Sequence, residues 1–433
     1  MLSILADRTY RHLFLAQVVA LLGTGLATVA LGLLAYDLEG GDAGLVLGMI
    51  FTIKMVAYVG IAPIAGAFVD KLPRRTLLVT LDLVRAGVAL ALPFVTEVWQ
   101  VYILIFLLQS ASAAFTPTFQ ATIPDVLPEE ARYIRALSLS RLAYDLENIV
   151  SPVLAGLFLA LMSYNALFLA SAVLVVSVIL PSPSPTEPRG IYDRSTRGIR
   201  IYLATPRLRG LLALNFAAAA GGAMVLVNTV VLVRGELGLP ETALAWTMGA
   251  FGAGSMFAAL VLPKLLDQVP DRPVMLTGAI ILTSALLLLA ALILGFGLSW
   301  PLLLAAWLAA GAGYSAVLTP SGRLLKRSAH PADRPAIFAA QFALSHACWL
   351  VTYPLAGVLM TMAGAPVALL SLALLSAFGI AVAVCLWPAD DPEVISHRHD
   401  DLPADHSHLV EHGGGRVHAH AAVIDALHRK WPG

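Results

Sequence analysis

The stretch PVMLTGAIILTSALLLLAALILGF, residues 273–296, decides the fold class. It holds no charged side chain and follows directly on Asp271 and Arg272. A helix needs roughly 20 apolar residues to cross about 30 Å of hydrocarbon, and this run supplies them. Eleven further segments read the same way, at 12–36, 43–69, 76–96, 100–122, 135–161, 164–181, 208–233, 241–263, 300–320, 335–361 and 365–387. Strands of a membrane barrel would alternate over about ten residues, and these runs do not, so the spans are helices. The expected fold is an all-α integral membrane protein of twelve transmembrane helices.

Composition agrees. Of 433 residues, 59% are hydrophobic and 12% charged, against about 45–50% and about 25% in soluble chains. Such a chain cannot cover its surface with charge, and a lipid bilayer is its expected solvent. Lysine plus arginine (27) balances aspartate plus glutamate (27), so no nucleic-acid partner is expected. Cys348 and Cys385 lie in apolar runs and form neither a CxxC nor a disulfide framework. The first apolar run, from about Phe14 to Leu34, is too long for a signal h-region and lacks a small-residue cleavage site before Asp37.

Loop charge sets the orientation. The even-to-odd loops carry Lys71, Arg74 and Arg75; Arg132 and Arg135; Arg189, Arg194, Arg197, Arg200, Arg207 and Arg209; Lys264 and Arg272; and Arg323, Lys326, Arg327 and Arg334. The opposite loops carry Arg234 against Asp37, Glu39, Asp42, Glu97, Glu236 and Glu241. Both termini are therefore expected in the cytoplasm, in a multi-pass protein of a bacterial-type inner membrane.

The segment 181–205 is proline-rich, then arginine-rich, and has no long apolar run. It reads as a linker with a short surface helix between two six-helix halves. The domains expected are residues 1–181, a linker at 182–206, residues 207–388 and a polar tail at 389–433. The halves echo each other. DKLPRR (Asp70 to Arg75) returns as DQVPDR (Asp267 to Arg272), 197 residues on. Thr116-Pro117 meets Thr319-Pro320, PEEAR (from Pro128) meets PADR (from Pro331), and SPVLAG (from Ser151) meets YPLAG (from Tyr353), at offsets of 201 to 203. Parallel repeats of this kind build transporters with a central site between the halves.

GAFVDKLPRR, residues 66–75, resembles the loop 2–3 signature of the major facilitator superfamily, G-x-x-x-D-[RK]-x-G-R-[RK]. Gly66, Asp70, Lys71, Arg74 and Arg75 match, while Pro73 replaces the second glycine and stiffens the turn. The resemblance implies alternating access by rocking of the halves, with this loop controlling a cytoplasmic gate. A plain topology-setting loop is the alternative. SPVLAG in span five is similar to that superfamily's antiporter motif g-x-x-x-G-P-x-x-G-G through Pro152 and Gly156, which implies export. A proline kink beside small residues serves close packing equally well.

Charges within a bilayer are costly and mark function by default. Span five has three within seven residues, Arg141, Asp145 and Glu147, joined by Tyr144 and Asn148. At about 100° per residue all five fall within one half of the helix. Arg141 and Asp145, spaced i, i+4, can pair. Glu147 points away from both, and Glu147 or Asp145 is the expected proton-coupling or cation-binding acid. A structural buried network is the alternative. Lys54, in the middle of span two, is expected to pair with an acid such as Asp145 or Glu147, or to snorkel. His346 in span eleven stands within one residue of the repeat position of Tyr144 and Asp145, and either titrates, ligates a cation or serves as a structural histidine. Asp82 and Arg85, spaced i, i+3, read as a structural pair.

The tail holds eight of the eleven histidines: His397, His399, His406, His408, His412, His418, His420 and His428. With Asp400, Asp401, Asp405 and Glu411 nearby, it suits nickel, cobalt, zinc or copper. It has no zinc-finger spacing, which argues against a fixed structural site. It reads as a flexible chelator, or as a solvated tail that binds metal adventitiously, and its final VIDALHRKWPG, residues 423–433, has the apolar spacing of a short docking helix. In this respect the chain is similar to nickel- and cobalt-exporting members of the superfamily with histidine-rich C-terminal tails.

The function expected is proton-coupled export of a divalent transition metal by a monomer. The alternatives are efflux of a small organic molecule, such as a drug or siderophore, and a membrane sensor or scaffold that moves nothing. No nucleophile–base constellation or phosphate-binding glycine loop points to an enzyme. No cofactor is expected beyond the proton gradient and any metal ion held by the tail.

Overall fold

The 273–296 stretch lies within one helix, Asp271–Phe296. The structure is a computed structural model. It describes residues 2–15, 17–19, 21–23, 34, 43–68, 74–140, 142–143, 191–391, 394–398, 403, 407–411, 416–421, 423–424, 427–428 and 431. Within these the helices are α1 (8–15), α2 (Ala43–Phe68), α3 (Arg74–Ala91), α4 (Val98–Val126), α5 (130–140), α6 (Ile191–Ala204), α7 (Pro206–Val230), α8 (Glu241–Leu266), α9 (Asp271–Phe296), α10 (Trp300–Leu318), α11 (Ser321–Arg327) and α12 (Arg334–Leu386). Strand β1 (Val394–Arg398), helix α13 (Ser407–Glu411) and strand β2 (Val417–Ala421) follow.

Seven helical stretches among the described residues are long and apolar enough to cross a membrane. They correspond to the expected spans three, four and seven to ten, and to α12, which carries the eleventh and twelfth. Gly364 interrupts α12 with φ 77° and ψ 176°, between the two segments that the sequence separates. Positive φ suits glycine, which has no Cβ to clash, and Pro366 starts the second limb. Span two is α2. Span six, and parts of spans one and five, lie outside the described residues.

Lipid offers helices no hydrophobic reason to associate, so contact depends on close van der Waals packing and a few polar links. Helices α8 and α10 show both. A Cβ on Gly254 would lie 1.9 Å from the Leu308 carbonyl oxygen, and one on Gly311 would lie 1.9 Å from that of Phe251. The backbones touch where each helix offers hydrogen instead of a side chain. Several polar side chains inside the bundle find partners. Trp307 Nε1 donates to Thr229 Oγ1 at 2.8 Å, Trp300 Nε1 to Thr247 Oγ1 at 2.9 Å, and Asn228 Nδ2 to the Ala356 carbonyl at 3.0 Å. Thr283 and Ser376 share a hydrogen bond of 2.7 Å. Asp82 and Arg85 form the expected pair at 3.1 Å.

The linker helix is held more firmly than a surface helix needs to be. Arg197 grips Asp333 through two hydrogen bonds of 2.6 and 2.8 Å, and Tyr202 OH donates to Gln341 Oε1. Helix α6 also packs on α2, so it touches both halves. The described parts of the tail fold instead of staying extended. β1 and β2 pair antiparallel, from Val394 opposite Ala421 to Arg398 opposite Val417. Leu409 of α13 is buried, and Ile424 and Trp431 join the hydrophobic core of the second half. These scattered apolar residues bury area that a free tail would leave in water, and this offsets the entropy of ordering it.

Gly254→Val should force α8 and α10 apart. Overpacking of this kind costs about 1–3 kcal/mol, so the melting temperature of the purified protein in detergent should fall. Gly249→Ala, on the same helix with open space beside it, should leave it unchanged. Equal melting of the two variants would refute the packing role.

Candidate functional site

Helix α2 of the first half meets the first limb of α12 of the second. On α2, Lys54 and Tyr58 are spaced i, i+4, and on α12 so are Phe342 and His346, which places each pair on one helix face. The Tyr58 ring sits 4.8 Å from that of Phe342 and edge-on to His346 at 4.7 Å. Lys54 Nζ lies 5.5 Å from the centre of the same Tyr58 ring. Tyr58, Ile61 and Ala62 pack with Ala113 of α4 and with Phe342 and Ala343. The second half continues the aromatic row: Trp349 lies 4.8 Å from Tyr353 and 6.2 Å from Tyr314, and Tyr314 lies 5.6 Å from Phe251.

His346 Nδ1 is 2.7 Å from the carbonyl oxygen of Phe342. A carbonyl only accepts, so Nδ1 carries the hydrogen. In the neutral ring Nε2 is then the acceptor, and the tautomer is set by the helix itself. The site thus combines aromatic faces, one imidazole acceptor and one ammonium, contributed from both sides of the interface. Groups of these kinds can hold a flat, apolar molecule through ring contacts and orient it with few polar groups.

A second constellation joins the halves at the basic end of the bundle. Short helix α11 carries Arg323, Lys326 and Arg327. Arg323 Nε lies 2.8 Å from Glu130 at the start of α5, and Lys326 Nζ lies 3.6 Å from that carboxylate. Lys326 also donates to the Pro128 carbonyl at 2.9 Å and covers the Tyr133 ring at 4.8 Å. Toward the second half, Arg323 and Arg327 each stand 3.6 Å from Asp271, which is 1% exposed. That separation makes these electrostatic contacts, longer than hydrogen bonds. Asp271 belongs to the DQVPDR echo of the gate signature. Arg327 continues to Asp391 at 2.5 Å, and Asp391 reaches Arg207 at 3.7 Å. The Glu130 side chain is half exposed, so its pairs contribute only about 0–1 kcal/mol. A link that weak can hold two bodies together and still release them.

Of the residues singled out from sequence, Lys54 and His346 come together around Tyr58. Arg141, Tyr144, Asp145, Glu147 and Asn148 lie outside the described residues, as do the acids expected to pair with Lys54. Gly66 lies in the last turn of α2, and Arg74 and Arg75 open α3; Asp70, Lys71, Pro152 and Gly156 lie outside. In the tail, His408 and His418 meet. His397 and His420 stand in β1 and β2, and His399, His406 and His412 lie outside. Among the described residues no group of three or more His, Cys, Asp or Glu side chains is arranged to hold a metal ion. Sequence reasoning missed Tyr58, Phe342 and Glu130. The i, i+4 spacing from Lys54 and His346 was a signal for the first two. Glu130 had none.

Comparison with known proteins bears on this arrangement. The model of the Major Facilitator Superfamily matches residues 13–225 and 211–411. An uncharacterized MFS-type transporter, YfiS of Bacillus subtilis, is 25% identical over 267 residues, 58% of this chain and 62% of that relative's length. The multidrug efflux pump Tap of Mycolicibacterium fortuitum is 26% identical over 348 residues, 74% of this chain and 83% of Tap. Macrolide efflux protein A of Streptococcus pyogenes is 27% identical over 156 residues, 35% of this chain and 38% of that protein. Among solved structures, the human organic anion transporter MFSD10 superposes with a TM-score of 0.68 at 14% identity, covering 87% of this chain and 99% of the other. A bacterial homologue of the iron transporter ferroportin, in an outward-facing state, does so with a TM-score of 0.67 at 14% identity over the same shares. The all-helical bundle, the meeting of its halves and the family match over both of them lead to one conclusion: this chain belongs to the Major Facilitator Superfamily and is a multi-pass membrane transporter.

Proposed function

We propose that the protein exports a small amphipathic organic molecule from the cytoplasm by alternating access. The observation that carries this reading is the contact of Tyr58 with Phe342 and His346, where rings from both halves close on one another within the bundle. A substrate seated there touches both halves and is released when they part. The efflux relatives, named for macrolides and multiple drugs, support the same class. A hydrated dication fits less well, because the described groups there are rings, one imidazole and one ammonium, with no carboxylate among them. Metal export, the first expectation from the histidine-rich tail, is therefore the second reading.

The positive-inside bias puts the basic end in the cytoplasm of an inner membrane. The contacts of Glu130 with α11 then act as a cytoplasmic clamp that favours the state open to the other side. Energy for export comes from protons, carried by Asp145 or Glu147 of span five, where burial of charge is most costly.

Dye uptake into inside-out vesicles under an imposed proton gradient, which reads export from the cytoplasmic face, checks these roles. Tyr58→Ala and His346→Ala should each lower efflux at least about tenfold, a loss of about 1.4 kcal/mol, without loss of inserted protein. Normal flux in both would sink the proposed site. Asp145→Asn and Glu147→Gln should abolish proton-driven efflux, and unchanged flux in both would remove them from coupling. Glu130→Gln should alter the rate no more than about fivefold, matching a clamp worth about 1 kcal/mol or less; complete loss would give Glu130 a role beyond clamping.

A further inference from the structure

Between β1 and β2 the tail places α13, and with it His408, against the hairpin. His408 Nε2 lies 3.0 Å from His418 Nε2, with the ring centres 4.8 Å apart at 67°. The His428 ring packs on that of His408 at 5.1 Å. His418 and His428 are only 7% and 8% exposed. Two imidazoles rarely turn the same nitrogen toward each other in a buried place without a shared proton or a shared cation. Metal–imidazole bonds of about 2.0–2.1 Å put two ligand nitrogens about 2.9 Å apart at a right angle and about 3.3 Å apart at the tetrahedral angle. The observed separation falls within that span.

The pair is also held in place. Leu409, next to His408, is fully buried. Ile424 and Trp431 anchor the chain on either side of His428 in the core of the second half. Trp431 lies under the Arg207 guanidinium at 4.8 Å, and Arg207 in turn reaches Asp391 at 3.7 Å. A site supported by packed neighbours needs little reorganisation to bind, which distinguishes it from a free histidine tail.

We propose that His408 and His418 form a binding site for one divalent first-row transition cation, in a C-terminal lobe docked on the basic end of the transporter. Neutral imidazole nitrogen suits Zn²⁺, Ni²⁺ and Cu²⁺. The pair supplies two imidazole ligands. Such a site binds more weakly than a closed structural zinc centre. The proposal is independent of what the bundle transports.

The test uses the full-length protein in detergent with Zn²⁺ as the probe, titrated against a chromophoric chelator. One equivalent should bind ahead of the rest. His408→Ala and His418→Ala should each weaken that equivalent at least about tenfold, and His330→Ala should not change it. X-ray absorption at one equivalent should show two imidazole ligands, a readout that needs no variant and so survives any misfolding of the lobe. The proposal is overturned if no equivalent stands out, if His399→Ala or His412→Ala weakens binding as much as His408→Ala does, or if absorption shows fewer than two imidazoles. The first of these results would leave an N–H···N hydrogen bond between the rings as their whole relation.

Discussion

Hydrocarbon contains nothing that can hydrogen-bond to a peptide group, and the rest of this structure depends on that constraint. Each backbone N–H and C=O must find its partner inside its own span, which leaves helices as the solution. The helices must then be brought together without the aid of water. Gly254 and Gly311 let two backbones touch, and Trp307, Trp300 and Asn228 spend their polar atoms on neighbouring helices. A titratable side chain within a span is conspicuous, and for that reason Lys54 and His346 lead to the candidate site.

The two inter-half constellations differ in kind. At Tyr58 the contact is between rings, short-ranged and sensitive to what lies between them. At Glu130 it is between charges at a wet surface, where each pair contributes little. A contact between bodies that part and rejoin benefits from the second kind, because a strong bond would trap one state. Helix α11 serves both halves: Arg323 and Lys326 face Glu130, and Arg323 and Arg327 also face Asp271. The linker helix α6, tied to Asp333 and packed on α2, spans the same divide. The docked tail enters this network through Asp391, which pairs with Arg327 and Arg207.

Much of the bundle was legible in the sequence because the signals concerned are local. Transfer of a run of apolar residues into lipid depends on that run alone. The expected span 273–296 therefore agrees with the observed helix Asp271–Phe296 to within two residues at its start, and the break at Gly364 falls between two segments read as separate. The pairing of Asp82 with Arg85 followed from their spacing. The cost of buried charge picked out Lys54 and His346, and the repeated DQVPDR motif marked the loop that holds Asp271.

What joined those residues was not legible, since it lies between parts of the chain far apart in sequence. Tyr58 and Phe342 are separated by 284 positions, and Glu130 and Arg323 by 193; no periodicity runs across such gaps. In the tail, composition suggested a chelator and the spacing of VIDALHRKWPG, residues 423–433, a docking segment, but nothing local told Leu409, Ile424 and Trp431 which surface receives them. They have value only where a preformed surface receives them. By itself the sequence determined which segments are long and apolar enough to enter the membrane. The tertiary structure alone decided that His346 meets Tyr58, that α11 bridges the halves and that His408 faces His418, because side-chain packing is a property of surfaces and a sequence lists only neighbours.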